Sequence, residues 1–152
     1  MVMSASFFGA RQHMEKPIIQ GNTIKTPSNQ EYLADVDAFL EGTLRGWGVD
    51  ESVIADIAIS VSELVNNAIV HGNKSSPDKV VTVTIAQKNS TVNISVADQG
   101  GGFNPESIDD PLAEENLLRE VGRGIFIVRS LMDKVDIKPT KEGTEITITK
   151  NV

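Results

Sequence analysis

Three groups of polar residues in this chain have the types and spacing to do chemistry. Glu63, Asn67 and His71 recur every fourth residue, so on a helix a carboxylate, an amide and an imidazole stack along one edge. On a largely apolar helix such groups must be paired, solvated or used. The residues alone leave a solvent-facing edge and a working edge equally open. Asp98 heads the run Asp98-Gln99-Gly100-Gly101-Gly102-Phe103 and has the parity of Val92, Ile94 and Val96. That parity points its carboxylate inward, where it requires a hydrogen-bond donor. Gly122 and Gly124 open a run of helical period, and the free N–H groups of a helix N-terminus suit a phosphate. Short glycine patterns also serve plain turns.

The first group needs a helix from Asp50 to about Gly72. Asp50 can cap it, and Val53, Ile54, Ile57, Ala58, Val61, Leu64, Val65 and Ala68 form one broad apolar stripe. Ile59, Ile69 and Val70 extend that stripe round most of the circumference, which predicts a buried helix. Asp98 needs a strand, and Val81–Ile85 and Val92–Val96 alternate as a hairpin turning at Lys88-Asn89-Ser90. Upstream, residues 1–21 read as a loose or partner-docked arm, and the domain proper as 22–152. Within it come a short strand at Asn22–Thr26 and a helix entered through Ser28 and Glu31 in capping-box spacing and stopped by Gly46 and Gly48. Residues 103–121, aperiodic and acidic with Pro105 and Pro111, read as a lid. A helix over Gly122–Asp133 and strands at Val135–Lys138 and Thr144–Thr149 complete the chain, with Thr144 sharing the inward parity of Ile146 and Ile148. This order predicts an α+β fold, a two-layer sandwich with helices segregated on one face of the sheet.

The composition suits one globular domain: 152 residues, 39% hydrophobic and 23% charged. A net charge of -7 argues against a general binder of nucleic acid or anionic membrane. The absence of cysteine excludes disulfides and thiolate metal sites, and His13 and His71 are too few for a histidine zinc site. With no signal-like h-region and no evident spanning run, the expectation is a cytoplasmic protein.

ELVNNAIVHG, DQGGGF, GRGIFIV and GTEITI resemble the N-box, G1, G2 and terminal GT elements of the Bergerat-fold (GHKL) ATPases, the histidine kinase-like superfamily. Within it, the chain resembles the bacterial anti-sigma factor serine/threonine kinases of partner-switching systems, over residues 23–150. The resemblance implies a mixed β-sheet, ATP and Mg²⁺. By it, Asp98 accepts a hydrogen bond from the adenine amino group, Gly100 and Gly102 admit the backbone to the base, and Thr144 completes the adenine shell or is an ordinary strand threonine. Asn67 gives Mg²⁺ an oxygen ligand; the four-residue spacing from Glu63 selects it over Asn66, about 100° round the helix. Gly122, Arg123 and Gly124 lie under the phosphates. His71 touches a phosphate or bonds at the helix end. Glu63 takes the proton of a partner's serine or threonine hydroxyl, against an alternative of structural pairing with Lys74 or Arg123.

So read, the chain is an ATP- and Mg²⁺-dependent serine/threonine kinase that phosphorylates an anti-anti-sigma protein of the STAS type and sequesters a sigma factor or other regulator. It is expected as a homodimer. The alternative is a kinase-inactive ATP-binding module that holds a partner in a nucleotide-dependent way. A detached histidine kinase domain is disfavoured by Glu63 and by the missing phosphoacceptor helix.

Overall fold

The computed structural model describes residues 14–101 and 115–152. Six strands form one sheet in the order β1-β2-β3-β4-β6-β5, where β1 is Ile18–Gln20, β2 Thr23–Pro27, β3 Val80–Lys88, β4 Thr91–Ala97, β5 Lys134–Pro139 and β6 Thr144–Asn151. Three helices accompany it: α1 (Leu33–Gly46), α2 (Glu51–Asn67) and α3 (Glu115–Leu131). The α+β sandwich is as expected, with one difference: all five strand pairings are antiparallel.

Strand parity puts the layers together. Val81, Val83, Ile85, Val92, Ile94, Val96, Ile146 and Ile148 are all buried and share one core with the helices. The opposite parity of β3, β4 and β6 is Thr-, Ser- and Asn-rich and stays half-buried or exposed. One face therefore meets the helices and the other meets water. The central helix α2 contributes Ile54, Ile57, Val61, Leu64 and Val65 to the core. Together with its continuation to Gly72 it is long and apolar enough to cross a membrane, at a mean hydropathy of 1.6, contrary to the expectation that no run would be. Ile54, Ile57, Val61, Leu64, Val65, Ala68 and Ile69 of that run are buried in the core, while Ile59 is exposed.

Several local expectations shift. Part of the expected arm, Ile18–Gln20, is an edge strand paired with β2, and residues 1–13 lie outside the described residues. Ser28 is not a helix cap; Asn29 accepts from the Glu31 N–H at 3.0 Å, while Ser28 is buried and donates to the Lys79 carbonyl at 2.6 Å. Asp50 does cap α2, accepting from the Ser52 N–H at 3.2 Å. Past Asn67 the helix widens into one π-turn, Ala68–Gly72, closed by the Asn73 N–H on the Ala68 carbonyl at 2.7 Å.

The largest shift concerns α3, which begins at Glu115 and not at Gly122. Residues 103–114 of the expected lid lie outside the described residues, and 115–121 are helical. The reason is local. Glu115-Asn116-Leu117-Leu118-Arg119-Glu120-Val121 holds strong helix formers, and each glycine beyond it costs only about 1 kcal/mol against alanine.

Candidate functional site

Asp98, at the end of β4, is 8% exposed. Its Oδ1 accepts two backbone N–H groups, from Gly100 at 3.0 Å and from Thr144 at 3.2 Å. Both bonds fall on one oxygen, which leaves Oδ2 for an outside donor. Burial pushes the carboxyl above the usual aspartate range, against the pull of those two N–H groups and of the Lys79 charge. The Asp98 N–H in turn donates to the Thr144 carbonyl at 2.9 Å, so the ends of β4 and β6 are tied both ways. Thr144 is buried, as its parity predicts.

Glycines enclose this carboxylate. A Cβ on Gly72 would lie 2.5 Å from Asp98 Oδ2. One on Gly143 would overlap the carbonyl and Oδ1 of Asp98, and one on Gly100 would overlap the Gly72 carbonyl. Gly100 is thus required by packing against Gly72, a contact within the protein and not the expected approach to a base, and Gly72 and Gly143 are required in turn by Asp98. Gly102 lies outside the described residues.

Asn73 was missed by sequence reasoning, although it follows the His71-Gly72 pair directly. It is 1% exposed and fully engaged. Its Oδ1 accepts the Gln99 N–H at 2.7 Å, and its Nδ2 donates to Ser28 Oγ at 2.9 Å and to the Val80 carbonyl at 3.0 Å. Gln99 Oε1 accepts the Val80 N–H at 2.8 Å. This network bolts the end of the helix to the corner that carries Asp98.

The Glu63/Asn67/His71 edge faces α3. Glu63 Oε2 and Asn67 Nδ2 converge on one point: a Cβ on Gly124 would lie 3.0 Å from each. Asn67 Nδ2 is buried with no hydrogen-bond partner, a cost of about 1–3 kcal/mol that an incoming acceptor would relieve. Asn66 is turned away, its Oδ1 accepting from Gln30 Nε2 at 2.6 Å, so the two asparagines are separated as the helical spacing requires. His71 Nε2 lies 3.0 Å from a carboxylate oxygen of Glu120 in α3. Glu63 pairs with neither Lys74 nor Arg123 among the described ion pairs.

Gly122, Arg123 and Gly124 lie in the body of α3, so their N–H groups are not those of a helix N-terminus. The expected anion cradle is absent in this conformation. What the glycine at 124 does instead is let α3 lie directly on Glu63 and Asn67, while Arg123 is exposed.

No cluster of three or more His, Asp or Glu suited to a metal occurs among the described residues. A divalent ion held mainly by phosphate oxygens and water, with one amide oxygen from protein, does not need one. Asn67 carries one such oxygen, Oδ1, while its unpartnered Nδ2 is a donor suited to a phosphate oxygen and not to the ion.

This combination of an inward aspartate at a strand end, glycine corners and a carboxylate–amide helix edge defines a nucleotide-binding α+β domain. The family model of the histidine kinase-like ATPase domain matches residues 26–150, and the chain belongs to that family. It is 29% identical over 136 residues to the serine-protein kinase RsbW of Staphylococcus aureus, covering 85% of each chain. Among solved structures it is similar to the RsbU and RsbW domains of Rv1364c from Mycobacterium tuberculosis, at 25% identity and a TM-score of 0.59. That match covers 86% of this chain and 32% of the other, so this chain corresponds to about a third of that protein. The catalytic domain of the histidine kinase ThkA shares the fold, at 16% identity and a TM-score of 0.53 over 86% of this chain and 96% of that one.

Proposed function

We propose that this chain is an ATP- and Mg²⁺-dependent protein serine/threonine kinase acting as an anti-sigma factor. It phosphorylates a STAS-type anti-anti-sigma protein and, in the alternative partner state, sequesters a sigma factor. It works in the cytoplasm as a homodimer. The observation that carries this reading is the convergence of Glu63 and Asn67 on one point beside α3.

Each residue has a task that its surroundings allow. Asp98 Oδ2 accepts the adenine amino group, while Gly72, Gly100 and Gly143 keep side chains out of the slot. Thr144 lines that slot from the end of β6. Asn67 offers its amide to the metal–phosphate cluster. Asn67 Oδ1 would help to hold Mg²⁺ there, which would supply neutralisation of the phosphate charge. Glu63 takes the proton from the partner's hydroxyl as its oxygen bonds to the γ-phosphorus and ADP departs, so the partner gains a phosphoryl group and Glu63 a proton. Placing Gly122, Arg123 and Gly124 beneath the phosphates requires the first turns of α3 to leave the edge they now cover.

The decisive experiment incubates the protein with Mg²⁺, radiolabelled ATP and candidate STAS proteins, beside a Glu63→Gln control. Label is expected on a partner serine or threonine, with transfer reduced by about 10²–10⁴-fold in the control. A wild-type protein that binds ATP but labels no partner leaves the second reading, a kinase-inactive module that holds its partner in a nucleotide-dependent way.

A further inference from the structure

Between α1 and α2 runs an open groove of about 590 Å³, away from the Asp98 slot. Its floor and walls are apolar and small: Leu33 and Ala34 from α1, and Ile54, Ala55 and Ala58 from α2. Ile59, 49% exposed, stands on the rim. The charges round it are unbalanced. Asp37, Glu41, Glu51 and Glu63 line it against a single cation, Arg45. Arg45 is already engaged, with Glu41 at 2.9 Å and with Glu51 at 2.9 Å.

Asp37 and Glu41 lie one helical turn apart, and the one cation lining the groove, Arg45, is divided between Glu41 and Glu51. Burial, and then the hydrogen bond to Glu41, push the Asp37 carboxyl up to about 6. The same hydrogen bond, with Arg45, holds Glu41 below the usual range. Two acidic groups thus face each other where an incoming cation could serve both. At the far end the groove reaches Glu63, the residue that also touches Gly124. Groove and phosphoryl-transfer edge therefore meet at one carboxylate.

We propose that this groove seats the phosphoacceptor partner. Its docking segment lays an apolar side chain over Ala34, Ala55 and Ala58, sets an arginine or lysine against Asp37 and Glu41, and carries its serine or threonine hydroxyl to Glu63. The occupant is chosen by charge complementarity and by the continuity of the groove with Glu63. This inference rests on Glu63 being the proton acceptor, and it adds a specificity: a basic, amphipathic segment in place of an acidic one.

The test uses the full chain and two short fluorescein-labelled peptides of equal apolar content, each with a central serine. One carries arginines and the other glutamates. By fluorescence anisotropy the basic peptide is expected to bind at least about tenfold more tightly than the acidic one. The double variant Asp37→Lys/Glu41→Lys should erase that preference and leave the affinity for a fluorescent ATP analogue unchanged. Ala55→Trp, which fills the groove without altering charge, should also weaken the basic peptide; if the double variant unfolds, this arm decides. Equal binding of the two peptides, or a preference that survives both variants, overturns the proposal. So does a groove-dependent dimer of the chain alone in sedimentation, which would assign the face to a second copy. Radiolabelled ATP separates this inference from the reading beneath it. A basic peptide that docks but is never labelled sinks the kinase reading alone, whereas labelling without charge preference sinks the docking surface alone.

Discussion

Asp98 holds its two backbone partners through a single oxygen, and that asymmetry makes a clean substitution available. In Asp98→Asn the amide oxygen can still accept from Gly100 and Thr144, while an N–H group replaces Oδ2. The corner survives but its polarity reverses toward an adenine amino group. Loss of a charge-assisted hydrogen bond, worth about 1.5–3 kcal/mol, predicts roughly a 10–100-fold weaker ATP affinity with near-wild-type melting. Calorimetric titration checks it, and unchanged affinity would remove Asp98 from the adenine site. Asp37 gives a prediction of a different kind. Its folded-state pKa of about 6 lies above the ordinary 3.8, so the folded chain binds more protons in that window and loses stability as pH rises through it. Asp37→Asn keeps a donor for Glu41 without the charge. It should therefore be more stable than wild type at pH 8, with the gap narrowing toward pH 4, as measured by denaturant melts across pH. Asp98 and Thr144 were legible in the sequence because strand parity is local information. Asn73 was not, since its partners Gln99 and Ser28 lie 26 and 45 residues away and only the fold brings them together.

At the level of elements, the described contacts of α3 differ along its length. From Val121 onward it is anchored: Val121, Ile125 and Val128 are buried, Met132 is buried just beyond its end, and Lys150 Nζ caps the Leu131 carbonyl at 2.7 Å. Nearer its start Glu120, 59% exposed, meets His71 at 3.0 Å, and at mid-helix Gly124 lies against Glu63 and Asn67. With Glu120 more than half exposed, its contact with His71 is worth about 0–1 kcal/mol. Nucleotide should therefore displace the first turns and leave the last. In hydrogen exchange with saturating ATP and Mg²⁺, residues 115–121 should exchange faster and the Asp98–Gly101 corner slower, with little change at 126–131. Faster exchange along the whole helix, or none anywhere, would contradict this division. Local propensity explains why the sequence misplaced the start of α3. The prolines and acidic residues of 103–121 suggested a lid throughout, yet its last seven residues are good helix formers that propagate through Gly122 and Gly124. The hairpins and α2 were legible because their periodicity runs unbroken. The π-turn at Ala68–Gly72 was not, because it depends on where Asn73 must be delivered.

For the molecule as a whole, the proposed nucleotide site and the folded core share one foundation. The Asp98 corner joins β4, β6 and the end of the α2 helix, so ATP that binds there binds only the folded chain. At a concentration about 100-fold above Kd, linkage adds about 2.7 kcal/mol. For a chain of this length that corresponds to a rise of about 5–10 °C in Tm, readable by differential scanning fluorimetry. Asp98→Asn should lose about half or more of that rise at the same ATP concentration. The glycines at 72, 100 and 143 carry a genetic consequence. Every single-base change that alters a glycine codon either stops translation or adds a side chain, and at these positions the first added carbon already strikes Asp98 or the Gly72 carbonyl. No gentle missense step is available there. In a saturation mutagenesis of the gene scored by ATP-dependent function, these codons should be blank, even to alanine, while Gly42 and Gly46, which have open space around them, tolerate it. The proposed adenine slot is a place where this protein can be lost in one mutation but cannot drift.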